Sequence, residues 1–482
     1  MAESRLERVI RELAHAAAAG TSGVASINVP LEAYAVRVAM IRAAERSLDV
    51  LYYIWQGDTS GMMLFDELMQ AADRGVRVRV LLDDNGIAAL DDELAVLDAH
   101  ASIDVRIFNP FSTRRLKQLG LLWNFRRLNR RMHNKSLTVD NVATIVGGRN
   151  IGDSYFGGDP KLAFADLDVF AVGQVARDVG DAFDAYWQSA AARLAAVTIP
   201  AARTVDADAM RERVAALRTS ALGRRLADST TRPTVVDELL ENGPALEWVP
   251  VRLVVDPPNK IDADAERVAP DSLVAQLAQA LAPPRREFDV VSPYFVPGRA
   301  GAAALARVAR SGVRVRVVSN SLATSDVAAA HAGCARRRKV LLRAGVRLYE
   351  LKPDAGVASS AGKRSWLPLR GSSGASLHGK AFALDRESIF VGSMNIDPRS
   401  IQLNTEMGLI IESPAMAGSL STSLDRHLAD VAYEVRLTAG GAIEWVDHTP
   451  AGIVIHRTEP KASILRRLAV RLLSWLPIEW LL

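Results

Sequence analysis

Short apolar runs alternate with amphipathic stretches along this chain. Val76-Arg77-Val78-Arg79-Val80-Leu81-Leu82 interleaves apolar residues with arginine and then stays apolar up to Asp83-Asp84, the pattern of a partly buried strand. The stretches 61–74 and 299–311 read as helices, each leading into such a strand. The resemblance between the two places is close: Ser311-Gly312-Val313-Arg314-Val315-Arg316-Val317 repeats Arg74-Gly75-Val76-Arg77-Val78-Arg79-Val80. Upstream, Phe288-Asp289-Val290-Val291-Ser292-Pro293 parallels Leu48-Asp49-Val50-Leu51-Tyr52-Tyr53. Both halves keep one order: strand, helix, GVRVRV strand, a further helical stretch, an alternating strand that carries His and Lys, and a glycine turn. This order predicts an α/β fold made by duplicating one domain, not a short-period solenoid.

The same pattern sets expected boundaries. Residues 1–32 form an N-terminal helical extension, 33–195 the first repeat and 248–460 the second. Between them, 196–247 is a linker with a peripheral helix around 209–226. Residues 354–376 are rich in Gly and Ser and predict a surface loop. In 461–482, Leu465, Leu468, Leu472 and Leu476 share one helical face before Pro477, with Arg466, Arg467 and Arg471 elsewhere. Trp475 and Trp480 suit a lipid headgroup region, so this segment reads as a membrane-interface helix, with docking on the protein as the alternative.

Composition narrows the class. A chain of 482 residues with 49% hydrophobic and 24% charged residues is globular and too long for one core. One cysteine, Cys334, excludes a disulfide framework and a cysteine-based zinc site. The opening MAESRLERVI lacks the apolar run of a signal peptide, and no apolar stretch reaches the ~20 residues of a membrane span. The body is therefore expected on the cytosolic side, without a transmembrane anchor. Net charge is only +4, so local clusters matter more. Residues 111–131 hold Arg114, Arg115, Lys117, Arg126, Arg127, Arg130 and Arg131 with no acid; they read equally as a solvated face or a lipid-binding segment.

Chemistry enters through an eight-residue pattern, HxKxxxxD, present twice: His133, Lys135, Asp140 and His378, Lys380, Asp385. Seven residues after each Asp a glycine turn begins, ending in Asn150 and Asn395 respectively. One copy would arise by chance in roughly 3% of chains this long; two with matched flanks are hard to dismiss. Phosphodiester cleavage needs a nucleophile, a proton carrier and positive charge at the nonbridging oxygens. One His can attack phosphorus while the other handles the alcohol proton. Lys135 and Lys380 would neutralise the oxygens, and Asn150 and Asn395 could donate hydrogen bonds to them. Each imidazole also needs an acid to hold its tautomer. Asp166 is expected for His133, with Asp168 as substitute, and Glu406 for His378. Asp140 and Asp385 complete the candidate set and are expected to brace turns. Asp58, Asp83 and Asp84 read as strand-end turn residues, and no metal site is expected.

The chain resembles the phospholipase D superfamily, specifically its bacterial cardiolipin synthase branch, closest to the C-type. The resemblance runs from about residue 33 to the C-terminus. It is carried by Tyr52-Tyr53-Ile54-Trp55, Arg130-Arg131-Met132-His133-Asn134-Lys135, Gly147-Gly148-Arg149-Asn150-Ile151-Gly152-Asp153, Ser292-Pro293-Tyr294-Phe295-Val296-Pro297-Gly298 and the closing Leu476-Pro477-Ile478-Glu479-Trp480-Leu481-Leu482. It implies two phospholipase D-like α-β-α sandwich repeats related by a pseudo-twofold axis, one shared active site, and no cofactor. It also implies His133 as nucleophile through a phosphohistidine and His378 as acid and base; the residues themselves leave the reverse order open. The short polar N-terminus departs from the longer membrane-targeting one usual in the family. The implied activity is phosphatidyl transfer to cardiolipin from phosphatidylglycerol and a second phospholipid, for which phosphatidylethanolamine is a candidate. Phospholipase D hydrolysis and a nuclease are the alternatives; aromatics at 6% argue against stacking on nucleic acid. The expected place of work is an anionic membrane surface, bound peripherally from the cytoplasmic side. The sequence leaves the oligomeric state open.

Overall fold

A computed structural model describes residues 3–111, 125–158, 164–199, 206–241, 246–262, 269–325, 328–353 and 376–474. In chain order the strands are β1 (Thr21–Ile27), β2 (Ser47–Ile54), β3 (Arg77–Gly86), β4 (Ile103–Phe108), β5 (Ser136–Val139), β6 (Ala143–Gly147), β7 (Phe164–Ala165), β8 (Asp168–Val172), β9 (Ala192–Leu194) and β10 (Glu247–Val255). They continue as β11 (Glu287–Val291), β12 (Arg314–Asn320), β13 (Arg347–Leu351), β14 (Ser376–Leu377), β15 (Ala381–Leu384), β16 (Ser388–Gly392), β17 (Met407–Ile411), β18 (Ala432–Leu437), β19 (Ile443–Thr449) and β20 (Gly452–His456).

The chain divides into two compact units. The first holds Met1–Gly158, Asp168–Gln276 and Leu403–Leu409; the second holds Asp159–Leu167, Leu277–Gln402 and Ile410–Leu482. In the first, the sheet order is β10-β1-β8-β6-β5-β2-β3-β4-β9, parallel only across β2-β3-β4. In the second, β16-β15-β11-β12-β13-β18-β19-β20 is parallel only across β11-β12-β13. The order β6-β5-β2-β3-β4-β9 thus recurs as β16-β15-β11-β12-β13-β18, the duplication read from the GVRVRV strands.

The alternation in those strands has one physical cause in both units. Val78 and Val80 are buried, while Arg79 forks onto Asp49 of the neighbouring strand at 2.7 and 2.9 Å and reaches Asp184 of the covering helix at 2.6 Å. Arg316 does the same with Asp289, at 2.7 Å twice, and with Asp425 at 2.5 Å. These arginines pin a helix to a sheet. The helices expected at 61–74 and 299–311 are Thr59–Asp73 and Gly298–Arg310.

Three expectations about organisation change. The first 32 residues are not wholly helical: β1 lies among them, hydrogen-bonded between β10 and β8. β10, expected to open the second repeat, belongs to the first unit's sheet. The single helix expected at 209–226 is two, Ala207–Arg218 and Ala221–Ser229. Ser220 caps the second by accepting from Gly223 N at 3.0 Å, and a side chain at Gly223 would meet Leu217 O at 2.1 Å. The loop expected at 354–376 falls outside the described residues except for Ser376 at the start of β14. Among the described residues, no helix is long and apolar enough to cross a membrane.

Candidate active site

In the first unit, the chain enters β5 along a two-residue bridge to the segment Leu403–Leu409. Thr405 N donates to Arg131 O at 3.0 Å, and His133 N donates to Thr405 O at 2.9 Å. Met132 beneath His133 is buried in an apolar cluster with Leu51, Leu81, Phe108, Phe183 and Tyr186. This floor leaves the His133 side chain 11% exposed, with its Nδ1 2.8 Å from Glu406 Oε2. A carboxylate only accepts, so Nδ1 carries the proton and the lone pair lies on Nε2, the form a nucleophile needs. The Tyr53 ring lies edge-on to the imidazole with centroids 5.0 Å apart. Lys135 donates to the carbonyl of His133 and stands 5.4 Å over the Tyr53 ring. β5 begins at Ser136, so His133 and Lys135 meet through the irregular stretch before the strand rather than through strand alternation.

The second unit builds a matching arrangement. β14 pairs in parallel with β7, which brings Asp166 beside His378. His378 Nδ1 lies 2.5 Å from Asp166 Oδ2, and Leu377 is clamped by Asn320, which accepts from its N–H and donates to its carbonyl, both at 2.9 Å. Lys380 Nζ donates to His378 O at 2.5 Å and sits 3.4 Å from Nε2.

The acids are therefore exchanged relative to the sequence expectation. Glu406 serves His133, and Asp166 serves His378. Position along the chain pointed to the acid of the same repeat, but each acid-bearing segment packs in the other repeat's unit. Asp168, the expected substitute, is bound to Arg37 at 2.9 Å and Arg149 at 3.1 Å. Asn150 also differs from expectation: its Oδ1 accepts from Ile54 N at 3.2 Å and its Nδ2 donates to Tyr155 at 2.9 Å, so it ties β2 to the following turn. Asn395 is buried, and its Oδ1 has no hydrogen-bond partner among the described residues.

The motif aspartates lie in hairpin turns. Asp140 and Asn141 have φ of 50° and 61°, and Asp385 and Arg386 of 55° and 60°, left-handed positions that Asp tolerates. Asp140 accepts from the N–H groups of Glu45, Arg46 and Ser47, and Asp385 from those of Arg285, Arg286 and Glu287. Both brace their turns.

Other charged candidates resolve as structure. In the described part of the basic run, Arg127 and Arg130 donate to backbone carbonyls, and Arg131 forks onto buried Asp83 at 2.5 and 2.8 Å. Burial pushes the Asp83 carboxyl up, against the opposing charge of Arg131. Among the described residues, one group has metal-ligand spacing, His331, Glu350 and Glu459. The Arg338 guanidinium already joins them, 2.5 Å from Glu350, 2.6 Å from Glu459 and 2.8 Å from His331 Nε2. Sequence reading missed Asn320 and Asp256; their one visible signal is a polar residue at the end of an apolar run.

A family model described as cardiolipin synthase, phospholipase D-like domain, matches residues 38–187 and 273–428. Cardiolipin synthase C of Escherichia coli K12 is 45% identical over 466 residues, covering 96% of this chain and 97% of its own. Cardiolipin synthase A of Pseudomonas entomophila is 26% identical, over 80% of this chain and 64% of its own. A crystal structure of phosphatidylserine synthase from Haemophilus influenzae Rd KW20 superposes with a TM-score of 0.58 at 13% identity, covering 99% of this chain and all of that one, a likeness of fold.

Proposed function

The chain belongs to the phospholipase D-like cardiolipin synthase family, and from that premise we propose that it is a phosphatidyltransferase making cardiolipin through a covalent histidine intermediate. The observation that carries this reading is the doubled set of a nearly buried imidazole, a carboxylate on its Nδ1 and a lysine against its carbonyl. His133 Nε2 attacks the phosphorus of phosphatidylglycerol; the P–O bond to glycerol breaks, and His378 gives its proton to the leaving oxygen. His378 then takes the proton of an incoming lipid hydroxyl, which attacks phosphorus as the P–N bond breaks. Lys135 and Lys380 supply positive charge to the nonbridging oxygens.

The test is product analysis. Purified protein is incubated with labelled phosphatidylglycerol, with and without phosphatidylethanolamine. Cardiolipin is expected, with none from His133→Ala or His378→Ala and an undiminished yield in excess chelator. Phosphatidic acid in its place would mean that water takes the second step. Full activity in either histidine variant would overturn the mechanism.

The same reading places the enzyme at an anionic membrane surface on the cytoplasmic side. Its support is the C-terminal helix Ile464–Leu473. Val470 packs with Leu322, Ala332 and Ala462, while Ile464, Leu465, Leu468 and Leu472 are 72, 79, 50 and 67% exposed. A row of four aliphatic side chains in water suits burial among lipid chains.

A further inference from the structure

Glu406 must reach His133 from a segment far along the chain, and the first unit holds it there with a residue outside both motifs. Asp256 directly follows β10. Its N–H donates to Glu406 O at 2.9 Å, and its Oδ2 accepts from Glu406 N at 2.9 Å. One residue thus grips both backbone groups of the acid that orients the imidazole. Asp256 is itself fully buried and held on all sides. Lys260 Nζ donates to Oδ2 at 2.8 Å, and Leu273 N, at the start of the helix Leu273–Ala280, donates to Oδ1 at 2.8 Å. Tyr186 donates to the Asp256 carbonyl at 2.7 Å. Arg130 fixes the turn that carries Lys260 through the carbonyls of Lys260 and Ile261, at 3.3 and 3.1 Å.

We infer that Asp256, paired with Lys260, is a positioning residue that sets the Glu406 carboxylate against His133 Nδ1. The geometry supports this more than a general packing role. A packing residue needs only to fill space, whereas Asp256 bonds both the N–H and the carbonyl of residue 406. Burial pushes its carboxyl up, and the Lys260 ammonium opposes that, so loss of Lys260 weakens the clamp without altering a group near substrate. In the His378 half, the neutral Asn320 clamps Leu377 rather than the acid.

The inference rests on the proposed role of His133, and a double-mutant cycle separates the two. Turnover of phosphatidylglycerol vesicles is measured for His133→Ala, Glu406→Gln, Asp256→Ala and Asp256→Ala/Glu406→Gln. Asp256→Ala is expected to lower kcat roughly 10- to 100-fold with KM unchanged, as a misplaced catalytic group does. The double variant should be no slower than Glu406→Gln alone, because the clamp has nothing left to orient. Multiplied losses would overturn the positioning role while leaving the site reading intact. Turnover by His133→Ala would overturn both. Should Asp256→Ala fail to fold, the same cycle is run with Lys260→Met, and Lys260→Arg should restore the rate. Failure of Lys260→Met to slow the enzyme would count against the clamp.

Discussion

Four carboxylates belong to the two motif regions, and their neighbours assign them opposite work. Glu406 and Asp166 face imidazoles; Asp140 and Asp385 face backbone N–H groups. We expect Asp140→Ala to cost about 1–3 kcal/mol of stability by leaving three part-buried donors without their acceptor. A urea titration would show this, and turnover per folded molecule should stay within a few-fold of the parent. A loss of turnover without a loss of stability would place Asp140 in the chemistry. Asp385 adds a pH dependence. Burial alone would raise its carboxyl, yet the N–H groups of residues 285–287 and the Arg286 charge hold it below the usual value. Such a group stabilises the fold above its unfolded pKa, about 3.9, and the contribution fades as pH falls through the lower folded value. The histidines and lysines were legible because their spacing repeats. Their acids were legible as residues but not as partners, since distance along the chain says nothing about which unit a seven- or nine-residue segment joins.

The elements themselves follow closely from the hydrophobic pattern, and the exceptions have local causes. Arg79 and Arg316 looked like solvent-side positions of half-buried strands; both instead reach acids on a covering helix. No one-dimensional pattern marks the break at Ser220, which depends on a capping hydroxyl. Capping also supplies a prediction at this scale. Asp58 caps the helix Thr59–Asp73 by accepting from Gly61 N at 3.1 Å and also accepts from Asp153 N at 2.6 Å. Burial, with the Asp153 charge second, pushes its carboxyl from 3.8 to about 6. A raised carboxyl binds its proton more tightly in the folded state. Its stabilisation is complete below 3.8 and lost as pH rises through about 6. Asp153→Asn removes the charge while keeping an acceptor, so the difference in Tm between pH 4 and pH 7 should narrow. An unchanged difference would assign that pH dependence to other groups.

At the scale of the whole molecule, the repeated sheet order was legible because duplicated strands keep their pattern, while the allocation of β1 and β10 depended on pairing that no local signal records. The helix Ile464–Leu473 allows a test of the proposed membrane contact. Leu465, Leu468 and Leu472 changed together to Ser should weaken binding to anionic vesicles and leave Val470 packed, with cleavage of a soluble phosphodiester unaffected. Binding as tight as the parent's would make this helix a packing element only. The exchange of acid-bearing segments has a consequence for the protein as it is made. Glu406 lies 273 residues beyond the histidine it serves. While the ribosome is still adding residues before 403, the emerging chain has a His133 with no acid on its Nδ1. On the proposed mechanism the emerging chain then lacks the group that orients its nucleophile, and a product truncated before residue 406 should turn over lipid far more slowly than the full chain.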